Sequence, residues 1–161
     1  MKKIYQIFVA LFIIYVFGFF GCLITKNYAT DYQAYVINKD LIISSKLGDV
    51  RFSVEVFDTE QKRALGLMNR ASLDEDHGGF FVFDKLENHI FWMKNTLVPL
   101  DIIFFDDDLK IVGIIENTTP LSLRGLNINK KSRYALEVLA GTVKKYAIDQ
   151  NTTASFFSEL L

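Results

Sequence analysis

The chain has 161 residues, a formal net charge of −1 and one cysteine; once roughly thirty N-terminal residues are set aside, what remains suits a single domain with one core. With a pI of about 6.1 there is no basic excess to neutralise a phosphate backbone, which argues against nucleic acid as a partner. Hydrophobic residues make up 50% and aromatic residues 14%, including fifteen Phe, which excludes a disordered chain and favours a packed, β-rich core.

After Lys2 and Lys3, the chain from Ile4 to Ile24 carries no charge and is long enough to span a bilayer as a helix. A retained membrane anchor through residues 4–24 is the reading its length and bulk favour over a cleaved signal peptide. Gly21-Cys22 also resembles the end of a lipoprotein signal, although Phe19 and Phe20 are bulky for one. Lys2 and Lys3 outnumber Lys26, so the positive-inside bias puts the following domain on the extracytoplasmic side, anchored or exported. Residues 1–33 therefore read as signal or anchor plus linker, and 34–161 as the domain. Because Cys22 falls in the apolar run, the domain has no internal disulfide, thiolate metal site or thiol nucleophile.

Within the domain, a strand-like run ends in Leu41-Ile42-Ile43, and Arg51 to Phe57 alternates with period two, so that Phe52, Val54 and Val56 face a core. Asp58 followed by Gln61 resembles a capping box, and the spacing of Ala64, Leu65, Leu67 and Met68 predicts a helix over 59–68. Gly78-Gly79 reads as a break. Phe80 to Phe83 and His89 to Met93 follow as short strands. Leu100 to Phe105 and Lys110 to Ile115 form a hairpin across Asp106-Asp107-Asp108, both strands apolar on both faces and so expected to be fully buried. Glu116 to Arg133 is the longest loop, and long loops are often functional. A strand at 134–139, a short helix at 142–146 and a strand at 153–157 complete a mainly β domain, barrel-like or sandwich, with one or two short helices and an N-terminal apolar helix ahead of it.

No Gly-rich phosphate loop, GxSxG elbow or HExxH helix occurs. The acidic run 106–108 lacks the glycine and distal glutamate of a calcium loop, and neither His77 nor His89 has a second histidine at ligand spacing. No metal or cofactor is expected.

The segment Phe91 to Asp101 stands out, because the chain's one tryptophan, a lysine, an amide and a carboxylate sit between two hydrophobic strands. Asp101 and Glu137 both lie in strands of apolar residues, where an ionised group needs a partner. Trp92-Met93-Lys94-Asn95-Thr96 and Pro99-Leu100-Asp101-Ile102-Ile103-Phe104 resemble the signature of the bacterial and archaeal domain of unknown function family DUF192. The resemblance extends to Arg63, Gly66-Leu67-Met68, Arg70, Leu136-Glu137 and Ala140-Gly141, over about Phe52 to Thr153. Gly79, where the family usually has methionine, and 147–152, which lacks the usual Gly-Ile and Gly-Asp pairs, depart from the pattern. The resemblance implies a compact, mainly β, barrel-like or sandwich fold, frequently in exported or membrane-attached chains, and supplies no activity.

The binding reading gathers Arg63, Arg70, Trp92, Lys94, Asn95, Asp101 and Glu137 around one pocket for an anionic or polyhydroxylated small ligand. A catalytic reading makes Asp101 and Glu137 an acid–base pair, with Lys94 or Arg70 holding developing negative charge. A third reading is an envelope scaffold that uses the basic loop from Arg124 to Arg133. The same residues also have a purely structural reading, with Trp92, Met93, Met68 and Leu67 in the core and Lys94 paired to Asp101 across a strand crossover.

Overall fold

A computed structural model describes residues 37–157. The apolar run at 4–24, Cys22, the linker and positions 34–36 of the expected domain lie outside the described residues. Among the described residues no helix is long and apolar enough to cross a membrane.

Seven strands make one sheet: β1 (Ile37–Ser45), β2 (Gly48–Phe57), β3 (His77–Glu87), β4 (Leu100–Phe105), β5 (Ile111–Ile115), β6 (Ser132–Leu139) and β7 (Thr153–Phe156). Two short helices, α1 (Glu60–Leu65) and α2 (Thr142–Lys145), follow β2 and β6. The spatial order is β5-β4-β6-β3-β2-β1-β7, and only β2 and β3 run parallel. Lys110, just before β5, bridges to Thr153 in β7, so the two ends of the sheet touch and the sheet is curled into a half-barrel. The mainly β architecture with two short helices agrees with the sequence expectation, but one curled sheet takes the place of a sandwich.

Period-two alternation separates two cores. Leu41, Ile43, Phe52, Val54, Val56, Phe80, Ile103, Leu136 and Val138 belong to the cluster that draws on strands across the whole sheet and fills the curl. Phe57, Phe81, Leu100, Ile102, Phe104 and Ala135 project from the other face and are covered by Leu67, Phe91, Met93 and Val98. β4 lies between β5 and β6, and all six of its residues are buried, Asp101 among five apolar ones. β5 corrects the expectation of full burial: it is an edge strand, and only Ile111 is buried.

α1 is shorter than its sequence pattern predicts. Thr59, rather than Asp58, caps it by accepting from the Lys62 N–H, and Gly66, at φ 47°, ends it with its N–H on the Lys62 carbonyl. Asp58 instead accepts from Lys62 Nζ at 2.7 Å, and that ammonium holds its carboxyl below the usual range. The run His89 to Met93 alternates as a strand does, with Phe91 and Met93 buried, but its partner is the long loop, through a bridge from Phe91 to Leu126 and the Met93 N–H on the Ser122 carbonyl.

Gly78-Gly79 does not break the chain; both residues lie inside β3. A Cβ on Gly78 would stand 2.6 Å from the Glu137 carbonyl oxygen, and one on Gly79 2.6 Å from Cε2 of Phe57. Glycine is needed here for close approach across the sheet, not for a turn. Gly79→Ala is therefore expected to cost about 1–3 kcal/mol by overpacking, measured by urea unfolding. A neutral result would mean that Phe57 moves freely into other space.

Candidate functional site

The cavity on the outer face, about 310 Å³, lies between α1 with its following turn and the sheet. Phe81, Phe83 and Phe91 form aromatic walls, Leu67 and Met68 close one side, and Ile90, Trp92, Arg63 and Glu60 stand among the remaining lining residues with Glu137. The walls follow from the register. β3 sends Phe81 and Phe83 outward while Phe80 turns into the curl, and the rings of Phe81 and Phe91 pack edge to face at 5.1 Å.

Glu137 is the chemical centre of this cavity. In β6 it lies opposite Gly79 on one side and Ile102 on the other, so its side chain shares the outer face with Ile102. It is 5% exposed, and its carboxyl has no hydrogen-bond or ion-pair partner among the described residues. Burial pushes this carboxyl up to about 8, because removing the charged form from water is opposed by no nearby cation or donor. Near neutral pH the group is therefore largely protonated, able both to donate and to accept a hydrogen bond.

Arg63 reaches the cavity but is already committed. Its Nη1 donates to the carbonyls of Val82 at 2.7 Å and Asp58 at 2.9 Å, Nη2 lies 3.5 Å from Asp84, and the guanidinium sits over the Phe83 ring. Arg70 makes a two-pronged pair with Glu55, including Nη2 to Oε2 at 2.6 Å. Glu55 stands across Gly79 from Glu137 on the same face, so Arg70 neutralises the neighbouring acid rather than this one.

The other expected site residues separate. Lys94 is exposed and lies over the Trp92 ring at 5.1 Å. Asn95 is an exposed turn residue at φ 55°, and its carbonyl accepts from the Asn69 N–H. Asp101 is fully buried and accepts from the backbone N–H groups of Asn117 and Val143, each at 2.9 Å. Because Asp101 pairs with Val138 and its neighbour Ile102 with Glu137, the two carboxylates project from opposite faces of the sheet. The expected Asp101–Glu137 acid–base pair and the expected Lys94–Asp101 ion pair are both corrected by this geometry. Asp101 serves instead as the side-chain cap of α2, whose own N-cap residue Gly141 has none to offer.

Of the seven expected residues, the cavity thus brings together Arg63, Trp92 and Glu137. Sequence reasoning missed Phe81, Phe83 and Phe91 as walls. The alternation in Phe80-Phe81-Val82-Phe83 carried the signal, since two cores on one sheet require both phases of that run to be buried.

The fold and cavity define a mainly β half-barrel domain with a recess on its outer face. The chain belongs to the DUF192 family, described as "Uncharacterized ACR", whose profile matches residues 42–156, from within β1 to the end of β7. It is similar to a crystal structure from Sinorhizobium meliloti 1021 described as a "putative transcription regulator", with 30% identity, a TM-score of 0.73, and 75% of this chain and 95% of that one covered. It is also similar to a protein of unknown function from Novosphingobium aromaticivorans DSM 12444, with 27% identity, a TM-score of 0.70, and 74% and 84% covered. No curated protein matches the chain.

Proposed function

We propose that the domain is a binding module for a small polyhydroxylated ligand, working on the extracytoplasmic side of a membrane through anchoring or export by residues 4–24. The observation that carries the ligand reading is Glu137, a buried acid with no partner facing an aromatic-walled cavity. A carboxyl so placed costs folding free energy and finds its compensation in a bound hydroxyl. The cavity volume falls at the lower end of small-molecule sites, and flat aromatic walls suit the C–H faces of a sugar-like ring.

An anionic ligand is less well served. Arg63 and Arg70 are both engaged, and the floor of the cavity is itself an acid. The regulator description of the Sinorhizobium structure is not carried over, because the chain as a whole has no basic excess and the arginines beside the cavity are engaged.

The test is a panel of neutral mono- and disaccharides beside their uronic-acid counterparts, read by Tm and by Trp92 emission. A ligand at about 100 times its Kd adds about 2.7 kcal/mol to stability, which is several degrees in Tm. The neutral compounds are expected to give that shift, and E137M, which keeps the length of the side chain but neither donates nor accepts, to weaken it about tenfold or more, the worth of one buried hydrogen bond. If no compound moves either readout, or E137M responds as the wild type does, the reading is wrong.

A further inference from the structure

Two segments cross the outer face side by side, Asn88 to Pro99 and Asn117 to Lys131. Phe91 and Leu126 exchange both backbone hydrogen bonds at 2.8 Å, the Met93 N–H donates to Ser122, and the Leu121 N–H donates to Thr96. This pairing turns Phe91, Met93 and Val98 into the core. It leaves a row of large apolar side chains outside: Ile90 at 70% exposure, Trp92 at 50%, Leu121 at 58% and Leu123 at 71%, with Leu97 nearby in sequence.

The charge around that row is one-sided. Neither segment contains an aspartate or glutamate, although the chain as a whole carries net charge −1. Lys94, Arg124, Lys130 and Lys131 are all exposed, and Lys94 Nζ lies 5.1 Å over the Trp92 ring. None of the four forms an ion pair among the described residues. An indole and aliphatic side chains flanked by long cationic ones match the chemistry of a membrane–water interface: rings at headgroup depth, cations at the phosphates.

We propose that this surface rests on an anionic bilayer, with Ile90, Trp92, Leu121 and Leu123 entering the headgroup region and Lys94 and Arg124 meeting lipid phosphates. A second copy of the chain is the poorer occupant, since a two-fold contact would set these unpaired cations against themselves. The surface is independent of what fills the cavity, though Ile90 and Trp92 border both.

Trp92 is the chain's one tryptophan, so with no saccharide present a change in its emission on adding vesicles reports on this surface. The experiment adds the full chain to vesicles of phosphatidylcholine, or of phosphatidylcholine mixed with phosphatidylglycerol, with and without brominated acyl chains. In the anionic vesicles Trp92 is expected to shift to the blue and to lose about half its emission to the brominated lipid, the depth that interfacial seating implies. The effect should fall in high salt and in the K94E/R124E double variant, whose substituted side chains are exposed and form no ion pair among the described residues. L123S, a second exposed position, should weaken it without changing the far-UV spectrum.

Three results overturn the proposal. One is no bromolipid quenching in the anionic vesicles. Another is equal quenching in the two vesicle types or in K94E/R124E. The third is a blue shift that grows with protein concentration and ignores the brominated lipid, which would assign the surface to a second copy.

Discussion

E137Q is expected to stabilise the protein near neutral pH and to leave it almost unchanged at pH 4.5. The Glu137 carboxyl stands at about 8 in the folded protein, against an ordinary value of 4.5. Below 4.5 it is protonated in both the folded and the unfolded chain, and its burial carries no charge penalty. Between these values the unfolded chain has released the proton and the folded one keeps it, so stability falls as pH rises; above 8 the penalty is complete. At about 1.4 kcal/mol per pH unit, the isosteric amide gains about 3 kcal/mol over the wild type at pH 7. Urea unfolding of both proteins across this range measures it. Parallel curves would show that the carboxyl is solvated or partnered, and would remove the main support for the ligand reading.

The opposite slope belongs to Asp58, which Lys62 holds below its ordinary value of 3.8. Its contribution is present above that value and is lost as pH falls through the lower folded-state one. The two effects leave the wild type most stable on the acid side of neutrality.

Asp101→Ala is expected to cost about 3–5 kcal/mol, while Lys94→Ala costs less than about 0.5. The aspartate is fully buried and receives two backbone N–H groups, from Asn117 in the loop after β5 and from Val143 in α2. Its loss leaves two donors without an acceptor and removes the cap of a helix that has no other side-chain cap. Lys94 is on the surface over Trp92, so the double variant should equal the sum of the singles within about 0.5 kcal/mol. A coupling well above that in a double-mutant cycle would restore the ion pair that the sequence suggested.

That suggested pair shows what a linear reading can and cannot reach. Lys94 and Asp101 are close in sequence and both conspicuous, but β4 is paired on both sides, and period two sends Asp101 into the curl while Glu137 on the next strand points out. Which face an isolated carboxylate takes depends on register, and register is set by pairings such as Gly79 with Glu137 that span much of the chain. The period-two strand at Arg51 to Phe57 was legible because one of its faces is polar. β3 was less so, since a pair of glycines reads as a turn until the ring of Phe57 is known to need the room. The segment Phe91 to Asp101 was rightly conspicuous, yet it divides: Trp92 borders the cavity, Lys94 lies above the ring, and Asp101 caps a helix on the far side.

The meeting of Lys110 with Thr153 has a further consequence for how the protein behaves in a crowd. An open seven-stranded sheet offers two rows of unpaired amides and carbonyls to any passing strand, and such rows are where proteins join into fibres. Here β5 and β7 are the shortest strands, of five and four residues, and they converge on each other at one end. On the side of β1 away from β2, β7 pairs with Leu41 to Ser44, the stretch that holds the buried Leu41 and Ile43. The short terminal strand thus acts as a guard, keeping the most apolar part of a longer edge out of reach of its neighbours.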